Sequence, residues 1–132
     1  MLVAEIMTSN PVTITGNAPA ARALHIMDEM GFHQLPVISS SGHVVGIVTQ
    51  RDCRQAASAN GHSHKHTTVN TVMSPAPIVV EPQTPVQEAA RLMTEHHVRC
   101  LPVMRGETLV GILTASDLLI AFMRTLEPAP GS

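Results

Sequence analysis

The sequence predicts an α+β fold made of two pseudo-symmetric β-α-β-β-α repeats packed through their sheets. Three observations carry that prediction. The chain repeats itself: laid so that Leu35-Pro36-Val37 falls on Leu101-Pro102-Val103, Ile6-Met7-Thr8 meets Val72-Met73-Ser74 and Met27 meets Met93. After a one-residue slip in the hairpin turn, Val45-Gly46-Ile47-Val48-Thr49 meets Val110-Gly111-Ile112-Leu113-Thr114, and Asp52 meets Asp117. The hydrophobic periods also follow one order in both halves, strand-like, helical, strand-like twice, then helical. Finally, one half is too small to cover both faces of its own sheet, so two are expected to pack together.

The elements follow in order. A β-branched run opens each half, Val12 to Ile14 and Ile78 to Val80. In the second half Thr84 is the expected N-cap, with Pro85 at the first helical position and Gln87 completing a capping box. The first half has Ala18 in place of Thr84, so Asn17 is the expected cap there. Apolar residues then recur at helical spacing, as Ala20, Ala23, Leu24, Met27 and Met30 before a stop at Gly31, and as Val86, Ala89, Ala90 and Met93. Strands Leu35 to Ile38 and Val44 to Thr49 are joined by a Ser-Ser-Ser-Gly turn. Their counterparts, Leu101 to Met104 and Leu109 to Thr114, are joined through Arg105-Gly106-Glu107. A further helix starts at Thr49 and again at Thr114. The expected organisation is a first repeat over 1–55, a connector over 56–68, a second repeat over 69–126 and a frayed tail over 127–132.

Composition excludes several classes. Apolar residues make up 44% of the 132 and charged residues 14%, which suits one packed core rather than a disordered chain. A net charge of -2 gives no global electrostatic reason to expect nucleic acid. Two cysteines, Cys53 and Cys100, make no disulfide framework, so a reducing, cytoplasmic location is expected. No apolar run approaches the roughly 20 residues that span a bilayer, and the N-terminus lacks a signal-peptide pattern, so no membrane insertion is expected.

The chemistry-bearing pattern is Thr49-x-x-Asp52, repeated as Thr114-x-x-Asp117. Thr followed three residues later by Asp at a helix start is an ordinary capping arrangement. The same placement suits a ligand, because a carboxylate can accept from a ribose diol and a helix N-terminus offers N–H groups to phosphate. The glycine ahead of each motif, Gly46 and Gly111, would let a ligand approach the backbone. Both readings stand on the residues alone.

The full set, occurring twice in order, resembles a tandem pair of cystathionine β-synthase (CBS) domains, a Bateman module. The segments that carry the resemblance are the two "LPV" strands with Gly46-Ile47-Val48-Thr49-Gln50-Arg51-Asp52 and Gly111-Ile112-Leu113-Thr114-Ala115-Ser116-Asp117, and it spans about residues 2–125. The resemblance implies a regulatory module that binds adenosine-containing ligands of the AMP, ADP or ATP class between the repeats. It also implies a flat homodimer paired through helices, and a regulated enzyme or transporter as partner. Carried over by position, one ligand set, A, is Thr49, Arg51, Asp52, Met73, Ile78, Val98 and Arg99. There Asp52 holds the ribose, Thr49 the sugar or phosphate, and Ile78 with Val98 sandwich the base. Alone, Arg51 and Arg99 read as solvated surface charges; placed together at one cleft by the resemblance, they read equally as guanidinium forks for phosphate. The other set, B, is Thr114, Ser116, Asp117, Met7, Val12, Phe32 and His33. It has no arginine at the matched places, which leaves adenosine, a sulfonium nucleoside such as S-adenosylmethionine, or no ligand. Phe32 reads as core or as a base-stacking ring.

Other candidates carry less. His62, His64 and His66 alternate in a polar connector without visible further ligands, so no metal is expected. The methionines read as core filling, and neither cysteine has a base partner. With no catalytic constellation and no cofactor beyond a regulatory nucleotide, the sequence predicts a sensor rather than an enzyme. A constitutive dimerisation module with empty clefts is the alternative.

Overall fold

The computed structural model describes residues 1–60, 67–75 and 77–126. Its elements are α1 (Val3–Ile6), β1 (Thr8–Ser9), β2 (Ile14–Thr15), α2 (Ala20–Met30), β3 (Gln34–Ile38), β4 (Val44–Thr49) and α3 (Gln50–Asn60). They continue with α4 (Val69–Val72), β5 (Ser74–Pro75), α5 (Val86–His96), β6 (Cys100–Arg105), β7 (Thr108–Thr114) and α6 (Ala115–Leu126). This is an α+β chain with two sheets, as the repeat predicts. The long elements lie within about two residues of the sequence reading. The opening strands do not: Val12 to Ile14 gives only Ile14–Thr15, and Ile78 to Val80 gives a single bridge, Val80 to Val103. Two residues of extended chain beside a sheet suffice for the pairing, because the buried side chains Ile14 and Val80 fix the register. α3 runs to Asn60, so the helix continues through residues 56–60.

The chain forms two compact units, and each takes a short piece from the other repeat. One holds residues 11–77 with 107–109, and the other 1–10, 78–106 and the chain from 110 on. In the unit built on 11–77 the sheet order is β2-β3-β4-β5. β2 runs parallel to β3, as a strand-helix-strand crossover over α2 demands. β3 and β4 form an antiparallel hairpin from Gln34↔Thr49 to Ile38↔Val44. Its turn is closed by Gly42 N–H on the Ser39 carbonyl at 2.9 Å, with Gly42 at φ 87, where a side chain would be strained. The core gathers Ile14, Ala23, Met27, Leu35, Val37, Val48, Cys53 and Val69, all buried.

In the unit built on 78–126 the order is β1-β7-β6, with Val80 bridging to β6. β1, which precedes the first repeat's helix in sequence, pairs antiparallel to β7 through Thr8↔Ile112 and Ser9↔Gly111. The core gathers Val3, Val80, Ala89, Met93, Leu101, Val103 and Leu113. The two "LPV" segments are buried in full, Leu35 to Val37 in β3 and Leu101 to Val103 in β6.

The helix caps depart from expectation. Pro19 and Pro85 stand at the N-cap positions of α2 and α5, and neither helix has a side-chain cap. Thr84 Oγ1 instead accepts from the Glu81 N–H at 3.0 Å, and Asn17 Oδ1 accepts from the Thr15 hydroxyl at 2.9 Å. The first free amide of each helix is met by main chain: Ala20 N–H donates to the Thr67 carbonyl at 2.8 Å, and Val86 N–H to Met1 at 3.1 Å. A carbonyl brought by a crossing segment satisfies the orphan donor that a side-chain cap would have taken. At the C-terminal ends, Gly31 (φ 73) and His97 (φ 55) adopt the left-handed conformation and donate to Met27 and Met93.

Candidate functional site

Each T-x-x-D segment lies where a strand ends and a helix begins, β4 into α3 and β7 into α6. The two copies use their residues differently. In the second, Asp117 N–H donates to Thr114 Oγ1 at 3.2 Å, and Thr114 N–H donates to Asp117 Oδ2 at 2.9 Å, a complete reciprocal capping box. In the first, Asp52 N–H donates to Thr49 Oγ1 at 3.0 Å. The Asp52 carboxylate takes no hydrogen bond in return from any described residue. Thr49, Asp52, Thr114 and Asp117 are all half-buried, whereas Arg51 and Ser116 are exposed beside them.

The glycines serve a different purpose from the expected one. A Cβ on Gly46 would lie 2.6 Å from Met73 Sδ and 2.7 Å from the Ser74 carbonyl; on Gly111, 2.6 Å from Met7 Sδ and 3.0 Å from the Thr8 carbonyl. The space above each glycine is filled by the chain's own outer strand, so these residues admit β5 and β1, not a ligand. Met73 and Met7 of the two ligand sets are thereby placed, each half-buried against the glycine that leads to its Thr and Asp.

The unit built on 11–77 brings together Thr49, Arg51, Asp52 and Met73 of set A with Val12, Phe32 and His33 of set B. The other brings together Thr114, Ser116, Asp117 and Met7 of set B with Ile78, Val98 and Arg99 of set A. Val12 and Phe32 pack against the core of their unit, as Ile78 and Val98 do in theirs. His33 and Arg99 are exposed, and each main-chain carbonyl accepts from the residue after the motif Thr: Gln50 N–H to His33 at 2.9 Å, Ala115 N–H to Arg99 at 2.9 Å. The sequence reading missed a polar chain here. Gln50 reaches both His33 Nδ1 (3.2 Å) and Asp28 (2.6 Å), and Arg54 reaches Asp28 at 3.1 Å. Adjacency to Thr49 was the one signal for Gln50; nothing local announces that Asp28 of α2 meets α3.

Comparison with known proteins identifies the family. The CBS domain profile matches residues 3–59 and again 69–124. The chain belongs to the CBS-domain family. A CBS domain-containing protein of Dictyostelium discoideum is 34% identical over 143 residues, taking in 98% of this chain and 97% of that protein. The CBS domain pair of protein MJ0100, solved in complex with 5′-methylthioadenosine and S-adenosyl-L-methionine, is similar with a TM-score of 0.86 and 26% identity, over 95% of this chain and 98% of that one. The protein CBSX2, solved in complex with AMP, gives a TM-score of 0.80 and 28% identity, over 96% and 98% of the two chains.

Among the described residues of this CBS pair, other chemistry is sparse. Burial pushes the Cys53 thiol up to about 11, with the charge of Asp52 adding, and the Cys100 thiol up to about 12, with Asp117 adding. Both thiols are protonated near neutral pH, which removes the thiolate a nucleophile needs. A cavity of about 300 Å³ between α2 and α3 is lined by Leu24, Asp28, Cys53 and Ala56 among others, and by none of the ligand-set residues. Among the described residues, no cluster of three His, Cys, Asp or Glu side chains is placed to hold a metal ion. His62, His64 and His66 lie outside the described residues. No described helix is long and apolar enough to cross a membrane.

Proposed function

We infer that this CBS pair is a regulatory sensor of adenosine-containing ligands of the AMP, ADP and ATP class, without catalytic activity of its own. The observation that carries this reading is the Asp52 carboxylate, half-buried at the first turn of α3 and without a hydrogen-bond donor among the described residues. Its oxygens are open to solvent rather than orphaned in the core, so they are free to accept from a ribose diol, which supplies two donors. Arg51, exposed in the same turn, has the guanidinium group that suits a phosphate, and the family resemblance assigns Arg99 the same part. Thr49, Met73, Ile78 and Val98 complete set A. For the second set a nucleoside of the S-adenosylmethionine type is the alternative, since Ser116 and His33 stand at the arginine places. AMP in one similar structure, and 5′-methylthioadenosine with S-adenosylmethionine in another, support the adenosyl class as a whole.

A sensor works by binding one arrangement more tightly than another, so occupancy must raise stability. Thermal melting against AMP, ADP, ATP, S-adenosylmethionine and GTP tests this. At a hundredfold excess over Kd the bound adenosyl ligand contributes about 2.7 kcal/mol, a shift of several degrees, with none from GTP. A panel that leaves the melting curve in place rejects the sensor and favours a constitutive interaction module.

A further inference from the structure

We propose that Gln50 fixes His33 as the Nδ1–H tautomer, so that this residue offers a lone pair at Nε2 and selects a neutral nucleoside rather than a phosphate. This rests on the reading of His33 as a ligand-set residue. Asp28 Oδ1 lies 2.6 Å from Gln50 Nε2 and 3.1 Å from Arg54 Nη2. A carboxylate can only accept, so the amide nitrogen of Gln50 must face Asp28, and the guanidinium holds that carboxylate in place. The amide oxygen then faces His33 Nδ1 at 3.2 Å. An amide oxygen also only accepts, so Nδ1 must carry the proton. In neutral imidazole the other nitrogen is then an acceptor. No described residue donates to Nε2, and the ring is exposed.

The second repeat serves as an internal control. Where the first has His33, Gln50, Asp28 and Arg54, it has Arg99, Ala115, Thr94 and Leu119. Its main chain still makes the same bond, Ala115 N–H to the Arg99 carbonyl, at 2.9 Å as in the first. The turn therefore holds without the side-chain relay, which ties Asp28 of α2 to α3 and reaches the imidazole. The two repeats thus present opposite groups at matched places. Arg99 has donors only, which suits phosphate; with its imidazole in the neutral form, as at the pH of the test below, the Nδ1–H tautomer of His33 presents an acceptor, which repels phosphate oxygens and suits an adenine amino group or a ribose hydroxyl.

Long-range proton–nitrogen NMR of the ¹⁵N-labelled chain at pH 8, with His33 assigned through His33→Gln, reads the tautomer directly. The wild type is expected to show Nδ1–H. Gln50→Ala, which copies the Ala115 turn, is expected to revert to the Nε2–H form that free imidazole favours. Nε2–H in the wild type overturns the proposal, and so does Nδ1–H that survives in Gln50→Ala. Adenosine is expected to move the His33 Nε2 resonance while inorganic phosphate leaves it in place, and the reverse pattern overturns the ligand class. If the tautomer behaves as expected but neither probe moves the resonance, the placing of His33 in a ligand set is wrong and the selection claim falls with it.

Discussion

Asp52 and Asp117 occupy equivalent places, yet one carboxylate closes a capping box and the other takes no hydrogen bond within the described chain. The consequence is a double dissociation between binding and stability. Asp52→Ala removes a charge-assisted contact to the ribose of about 1.5–3 kcal/mol, so calorimetry should show AMP weakened by about tenfold to a hundredfold. Asp117→Ala should leave AMP affinity nearly unchanged while costing about 0.5–1.5 kcal/mol of stability, because the capping box keeps the bond to Thr114 Oγ1 but loses the one from Thr114 N–H to the Asp117 carboxylate. Arg99→Ala should weaken AMP more than adenosine, since only AMP carries a phosphate. Far-UV circular dichroism of the free variants guards against helix loss. If Asp117→Ala abolishes binding and Asp52→Ala does not, the two sets have been exchanged. At this scale the residue types were legible from sequence, as a threonine, a carboxylate and an arginine at fixed spacing. Which carboxylate is spent on its own helix was not, because it depends on side-chain rotamers at two nearly identical turns.

Elements obey the repeat less strictly than residues do. β5 docks on β4, and β1 on β7, through glycines whose missing Cβ makes room for a methionine sulfur and a main-chain carbonyl. Gly46→Ala should therefore force β5 away from its Gly46↔Pro75 and Ile47↔Ser74 pairing. Overpacking of this kind costs about 1–3 kcal/mol. Because Met73 rides on the same glycine, AMP affinity should fall with it. Chemical denaturation and calorimetry of one variant check both effects. Unchanged stability would show that the sulfur and carbonyl can yield, and that the glycine is not what admits the strand. The periodic helices and the two hairpins were legible because burial repeats along them at a local period. The short α1 and α4, the outer strands β1 and β5 and the main-chain caps were not, because their partners are distant in sequence.

For the whole molecule the strongest unresolved feature is the surface of α6. Leu119, Phe122, Met123 and Leu126 are between 58% and 68% exposed, on a helix where only Ala121 is buried. An apolar face of that kind needs a cover. A homodimer paired through helices, as the family resemblance implies, is the expected one. Sedimentation equilibrium at micromolar concentration should report twice the monomer mass, and Phe122→Glu with Leu126→Glu should return the monomer. A wild-type monomer at that concentration would remove the dimer from the account.

The sequence by itself determined the duplication, the α+β class, the buried "LPV" strands and the two T-x-x-D turns, since each is written in local spacing and composition. Tertiary structure alone decided that each compact unit borrows its outer strand from the other repeat, that Gly46 and Gly111 admit the chain's own methionines, and that Asp28, Gln50 and His33 form one relay. Those outcomes depend on which distant segments pack together, and no period of 2 or 3.6 residues encodes a partner.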